Sequence, residues 1–249
     1  MTTAMKARLL VGDQLLGVLV RMPAEELVEM AGVAGMDYVL IDCEHGPADV
    51  IALRQHITIA ELHGMDVLVR VGQSEPALVQ RALDHGATGI VVPHVDDAEQ
   101  AAEAVDAARY APVGNRGFAT YGRSGRYGTV TATEHLAADA ERTIVVVMVE
   151  SEVGCRNAAT IARVSGVDGI MCGPADLAVS LGASGTSDPR VTDALDAVHA
   201  EAAVAGRIRM EIVSGHEAAR AAFDSGAGLV VINLSHLLMD LFSGLRTLH

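Results

Sequence analysis

Lysine is almost missing from this chain. Lys6 is the only one among 18 basic residues. Chemistry through a lysine Schiff base or through pyridoxal needs a lysine inside the site. Lys6 falls in a stretch read as a tail ahead of the first strand, so both chemistries are close to excluded. Cysteine is sparse as well: Cys43, Cys155 and Cys172 are odd in number and form no C-x-x-C pair. That argues against a disulfide framework or a zinc ribbon and fits a reducing cytoplasm. No apolar run approaches the ~18 residues of a membrane span, and the start of the chain shows no signal-peptide pattern. With a net charge of −14, the chain lacks the clustered cations that nucleic acid or an anionic membrane surface requires.

What is present is apolar material in quantity. Half of the 249 residues are hydrophobic and 25 are glycine, against 7 prolines and no tryptophan. This composition suits short loops around a large core and not a disordered chain. Short β-branched runs alternate with longer amphipathic stretches, the pattern of repeated βα units. The runs predict strands at Leu16–Val20, Tyr38–Ile41, Val67–Arg70, Gly89–Val92, Ile144–Val149, Gly169–Cys172, Ile208–Val213 and Leu229–Ile232. Helices are predicted over Ala24–Ala34, Ala48–His63, Glu75–His85, Asp97–Ala108, Gly154–Val164, Thr192–Ala205, Glu217–Asp224 and His236–Leu248. Eight strands, each followed by a helix, make a single α/β domain over residues 1–249, a (β/α)₈ barrel. An open doubly wound sheet ranks lower, because the first βα turn has no dinucleotide fingerprint. One connection is long: Arg109–Thr133, rich in glycine and arginine.

In a barrel, the residues just past the strand C-termini form one ring, where barrel enzymes place their sites. That ring reads Asp42-Cys43-Glu44-His45, Arg70, Pro93-His94, Glu150, Gly173-Pro174-Ala175-Asp176 and Asn233. Glu150 and Asp176 are candidate ligands for one cation, and their oxygens favour Mg²⁺ or Mn²⁺ over zinc. Two protein ligands leave positions for water and for a 2-oxo acid, whose enolate such a cation would stabilise. The alternative is two solvated rim carboxylates. The turn Gly173–Asp176 feeds a helix N-terminus whose free N–H groups can hold a carboxylate, or it is an ordinary cap. Asp42-x-x-His45 offers an acid/base with an orienting carboxylate, and Asp84 is a further candidate for that cluster. Arg70 can neutralise a substrate oxygen, or simply pair with Asp42 or Glu44.

Six segments resemble the HpcH/HpaI aldolase/citrate lyase family, in its metal-dependent pyruvate aldolase branch. They are Leu40–Pro47, Val67–Gly72, Val91–Val95, Arg109–Gly117, Val146–Ser151 and Gly173–Ala178, in order over most of the chain. The resemblance implies a divalent-metal-dependent carbon–carbon lyase that reversibly cleaves a 4-hydroxy-2-oxo acid into pyruvate and an aldehyde. Glu150 and Asp176 would bind Mg²⁺ or Mn²⁺, with Co²⁺ as a third option. His45 would be the acid/base, supported by Asp42 and Asp84, and Arg70 would meet an oxygen of the pyruvate enolate or of the aldehyde. Gly173, Pro174, Ala175 and Asp176 would hold the pyruvate carboxylate. It also implies a homo-oligomer, a hexamer built as a trimer of dimers, with the last helix packed on a neighbouring subunit. Three departures from the family pattern, Met148, Leu19 and Asn233-Leu234-Ser235, together with Arg123 and Arg126, mark the candidate acceptor side. The long connection carrying those arginines is expected to fold over the barrel mouth or reach a neighbour's, or only to bridge subunits. Two other readings stand beside this one: a related lyase acting on an acyl-CoA or another specialised substrate, and a metabolite-binding barrel without activity.

Overall fold

The computed structural model describes residues 4–46 and 49–246. Its eight parallel strands close into a barrel in chain order. They are β1 (Leu15–Val20), β2 (Tyr38–Asp42), β3 (Asp66–Arg70), β4 (Gly89–Val92), β5 (Ile144–Val149), β6 (Gly169–Cys172), β7 (Ile208–Val213) and β8 (Leu229–Asn233). The ring shuts where β8 pairs with β1, with Leu15 opposite Leu229 and Leu19 opposite Asn233. Strands buried on both faces read as unbroken apolar runs, and β2, β4, β5 and β6 are buried throughout.

Period-two alternation divides each strand between two cores. One set, including Leu15, Leu19, Leu40, Leu68, Val91, Val146, Met148, Met171 and Val231, fills the barrel interior. The other, including Val39, Ile41, Val69, Ile90, Val147 and Ile170, packs outward against the helices. Those helices are α2 (Glu25–Val33), α3 (Val50–Leu62), α4 (Pro76–Asp84), α5 (Ala98–Ala108), α7 (Glu152–Ala162), α9 (Pro189–Val204), α10 (His216–Asp224) and α11 (Leu234–Arg246). Their starts follow capping chemistry: Asp49 accepts from Ile51 and Ala52, Asp97 from Gln100, and Ser151 from Gly154. The predicted ends Ala48 and Leu248 lie outside the described residues.

Three helices do not correspond to a predicted one. The stretch read as a tail is α1 (Met5–Leu10), whose Met5 and Leu9 close the bottom of the interior core. Lys6 lies there too, with Nζ 2.7 Å from Asp168 Oδ1 and 3.3 Å from the Thr143 carbonyl. Both partners precede strands, so the single lysine sits at the opposite end from the strand C-termini. The second helix, α6 (Ala132–Arg142), is opened by a reciprocal Thr131–Glu134 capping box. The third, α8 (Pro174–Ser180), is one short helix directly after β6, with proline in its first turn. No helix among the described residues is long and apolar enough to cross a membrane.

Candidate active site

The interior rows rise two residues at a time, and their next members are the site. Beyond Leu40 comes Asp42, beyond Leu68 Arg70, beyond Met148 Glu150, beyond Met171 Gly173, and beyond Val231 Asn233. The same rule places Arg21 above Leu19. At the top of an apolar cylinder, charged groups have few partners except one another, and here they pair densely.

Asp42 is 2% exposed and accepts five hydrogen bonds. Arg70 grips it twice, Nε to Oδ1 at 2.9 Å and Nη2 to Oδ2 at 2.5 Å. Arg21 Nε adds a contact at 2.7 Å, and the backbone N–H groups of Glu44 and His45 donate to Oδ1 at 3.2 Å. Burial alone would raise the Asp42 pKa, but the two guanidinium groups and the backbone donors hold it below the ordinary carboxylate value. Arg70 also lies 3.2 Å from Glu44 Oε2. Burial pulls the Arg70 pKa down, and the Asp42, Glu44 and Glu150 carboxylates more than offset it, so it stays charged.

Removing Asp42 should therefore be costly. Asp42→Ala strands two guanidinium groups, one of them in Arg70, which is 5% exposed. Breaking a buried pair costs roughly 3–5 kcal/mol. The low end is expected because Glu44 remains beside Arg70. At about 2–4 °C per kcal/mol for a chain of this size, Tm should fall by roughly 6–12 °C. Since the folded pKa of Asp42 is depressed, its contribution is full above the unfolded carboxylate pKa and disappears as pH falls through the folded value. The gap between wild type and variant should accordingly close in acid. Equal Tm values at pH 7 by calorimetry would contradict this.

Glu150 stands opposite this cluster, directly after β5, and is almost fully buried. Its Oε1 accepts the His94 backbone N–H at 2.8 Å and lies 3.2 Å from His94 Nδ1. The chain just after it is anchored. Ser151 caps α7 through the Gly154 N–H at 2.9 Å and hydrogen-bonds Asp96, while Asn157 ties down the Asp96 carbonyl at 2.8 Å. Burial raises the Glu150 pKa, and the negative charges of Asp176 and Glu44 raise it further against the opposing His94 contacts. Gly173 is glycine for space: a Cβ there would come within 2.9 Å of Glu150 Cβ and closer still to Oε2. Asp176 is exposed in the first turn of α8. Among the described residues no three His, Cys, Asp or Glu side chains form a closed metal cage.

The HpcH/HpaI aldolase/citrate lyase family model matches residues 16–234. The chain belongs to this family. It is 36% identical over 205 residues to a 5-keto-4-deoxy-D-glucarate aldolase of Klebsiella pneumoniae, covering 82% of this chain and 79% of the relative. An HpcH/HpaI aldolase from Desulfitobacterium hafniense superimposes with a TM-score of 0.91 at 27% identity, covering 99% and 97% of the two chains. A solved citrate synthase is also similar, with a TM-score of 0.87 at 28% identity and coverage of 98% and 96%.

For a member of the HpcH/HpaI family, several residues sit otherwise than the sequence suggested. Arg70 does pair with Asp42 and Glu44, the alternative its position left open. Asp42 meets His45 only through the backbone. The carboxylate nearest the His45 ring is Glu44, with 3.7 Å between Nε2 and Oε2. Asp84 does not join His45 within one chain: it ends α4 at the strand N-terminal side and binds Arg116 at 2.7 Å. The Arg109–Thr133 connection does not cover its own barrel mouth. It leaves the C-terminal end of α5 and runs into α6, which leads on to the N-terminal end of β5. Arg123 pairs there with Glu61 near the end of α3, and the Ser124 N–H donates to the Asp84 carbonyl. Arg126 is exposed, with a left-handed φ of 49°. Leu19 and Met148 do not form an open wall; they are 1% and 2% exposed and lie in the interior core below the rim. Asn233 is buried at the top of β8, its Oδ1 3.4 Å from the His236 N–H.

Sequence reasoning missed Arg21 and the place of Glu44 between Arg70 and His94. The signal for Arg21 was its position two residues beyond Leu19 on an inward row. The cysteines take no evident part: burial pushes the Cys43 thiol up to about 11 and Cys172 higher still.

Proposed function

We propose that this chain is a divalent-metal-dependent aldolase that reversibly cleaves a 4-hydroxy-2-oxo acid into pyruvate and an aldehyde. The observation that carries this reading is the buried Glu150 carboxylate, set beside Asp176 and Glu44 in a site with a surplus of negative charge. Hard oxygen donors and mutual carboxylate repulsion fit Mg²⁺ or Mn²⁺, with Co²⁺ an acceptable substitute. Glu150 and Asp176 would hold the cation, whose chemistry when bound is to stabilise enolate charge as a Lewis acid. The residues do the rest. Gly173 leaves room for the Glu150 carboxylate, and the first turn of α8 presents N–H groups to the pyruvate carboxylate. Arg70, clamped by Asp42 and Glu44, presents positive charge to a substrate oxygen. His45 is exposed at the rim, where its ring can take the proton of the 4-hydroxyl group and return it in synthesis.

The remaining proposals concern surroundings. α11 buries none of its residues, and Leu237, Met239, Leu241, Phe242 and Leu245 are all exposed. That face supports packing on a second subunit, as in the proposed hexamer, a trimer of dimers. Arg123 and Arg126 would then meet an acceptor only across a subunit boundary. The three free cysteines support a reducing, cytoplasmic setting as part of this reading. The acyl-CoA reading loses support because three of the four arginines of the long connection are engaged within the chain: Arg109 by Asp168, Arg116 by Asp84 and Asp139, and Arg123 by Glu61.

The deciding experiment is pyruvate release from a panel of 4-hydroxy-2-oxo acids, with and without Mn²⁺. Metal-dependent release from at least one member is expected, and none from citryl- or malyl-CoA. Release from the thioesters alone would replace this reading with the acyl-CoA one. Gly173→Ala is a sharper structural probe. Its methyl group would displace the Glu150 carboxylate, and Mn²⁺ affinity should drop by roughly tenfold or more with the fold intact. Unchanged Mn²⁺ binding, followed by calorimetry, would show that Glu150 is not where the cation sits.

A further inference from the structure

His94 is a histidine where the backbone favours glycine. Its φ is 54°, in the left-handed region, and it is one of four non-glycine residues with positive φ among those described. Such a conformation persists only where its surroundings impose it, and it collects at functional sites. Here the surroundings are explicit. The His94 N–H and ring Nδ1 both address the same oxygen, Glu150 Oε1, at 2.8 and 3.2 Å. The other ring nitrogen, Nε2, lies 3.4 Å from Glu44 Oε1. The second oxygen of Glu44 is 3.2 Å from Arg70 Nε, and Arg70 holds Asp42. One unbroken row of contacts therefore crosses the mouth from β5 to β2.

We propose that His94 is a positioning residue. Its imidazole fixes the rotamer of Glu150 so that Oε2 stays turned towards Gly173 and α8, and it couples that carboxylate through Glu44 to Arg70. A glycine at this position would satisfy the backbone and still donate the N–H, so the ring is present for the contact it makes. Groups that orient a metal-binding carboxylate are worth roughly 10–100-fold in metal affinity. This inference rests on the reading of Glu150 as a metal ligand.

The test uses His94→Gly, His94→Asn and His94→Gln in the full-length protein, with circular dichroism to confirm folding. Mn²⁺ binding is followed by electron paramagnetic resonance. Glycine keeps the left-handed backbone and the N–H donor and deletes only the ring. Mn²⁺ should bind about tenfold more weakly to it. Asparagine tolerates the same backbone, and its amide nitrogen falls near the place of Nδ1, so it should recover most of that loss. Glutamine reaches instead towards the place of Nε2 and should recover less. Binding by His94→Gly within twofold of wild type would overturn the proposal while leaving the aldolase reading intact. Asparagine performing no better than glycine would overturn it too, since the ring would not be acting through Glu150. A wild type that binds no Mn²⁺ would bring down both.

Discussion

Glu150→Gln and Asp176→Asn should each give a folded protein without measurable carbon–carbon cleavage. Each replaces a charged oxygen ligand by a neutral one of the same size. A Lewis acid supplies several kcal/mol to the stabilisation of an enolate. At about 1.4 kcal/mol per tenfold, the loss is on the order of 10³ or more. EDTA should do the same to the wild type, and added Mg²⁺ or Mn²⁺ should restore it. Glu150→Gln can keep the His94 N–H bond and removes a carboxylate crowded by Asp176 and Glu44. Thermal stability should therefore hold or rise while activity disappears, which separates a ligand from a structural acid. Full turnover in a rigorously metal-free sample would end the metal reading. Borohydride added with pyruvate should leave no adduct, because Lys6 is held by Asp168 at the far end of the barrel.

His45→Ala should lose on the order of 10²–10⁴ in the rate of cleavage, the usual worth of a positioned general acid/base. The side chain is 57% exposed and its ring lies 3.7 Å from Glu44 Oε2 without a hydrogen bond to the core among the described residues, so the fold depends little on it. Tm should stay within experimental error of wild type. Deuterium exchange into the pyruvate methyl group gives the second readout. If His45 moves the proton of the 4-hydroxyl group, pyruvate affinity should be nearly unchanged, because in the proposed site Glu150, Asp176 and the α8 turn would hold that half. Cleavage within a few-fold of wild type would reduce His45 to a surface residue. A parallel collapse of pyruvate binding would show instead that it supports the metal side.

The arrangement gives the family chemistry a physical logic. Below the rim the barrel is filled with leucine, valine and methionine, so the charges at its top are poorly screened from below. Asp42 and Glu44 are balanced by Arg21 and Arg70, and the four form a paired wall across β1, β2 and β3. Among the described residues no arginine forms an ion pair with Glu150, though it feels Arg70 at longer range, and its neighbours Asp176 and Glu44 are also negative. The site is thus divided into a satisfied half and a half that lacks positive charge, and the missing charge is what a divalent cation would bring.

Strand positions were legible because a barrel strand is apolar on both faces and bounded by polar turns. Gly89–Val92, Ile144–Val149, Gly169–Cys172 and Ile208–Val213 coincide with the predicted runs. Helix starts were less legible. The predicted Gly154 and Thr192 lie beyond Ser151 and Asp188, the residues that cap α7 and α9. Caps depend on one side chain meeting one N–H, and that leaves little trace in periodicity. Helices α1 and α8 are too short for a periodic signal, and α6 has only His135 buried.

The sequence by itself determined the barrel, the ring of residues at its mouth and the near-absence of lysine. Each follows from composition or from the order of residues along one strand. Only the tertiary structure decided who pairs with whom. Asp42 went to Arg21 and Arg70 and not to the His45 ring. Asp84 went to Arg116, and the long arginine-bearing connection went to the strand N-terminal end. Glu44 and His94 became the bridge between Arg70 and Glu150. The reason is that local order fixes which end of a strand a residue occupies, whereas a charge chooses partners by distance and burial. Residues 21, 42 and 70, or 44, 94 and 150, become neighbours only once the barrel closes.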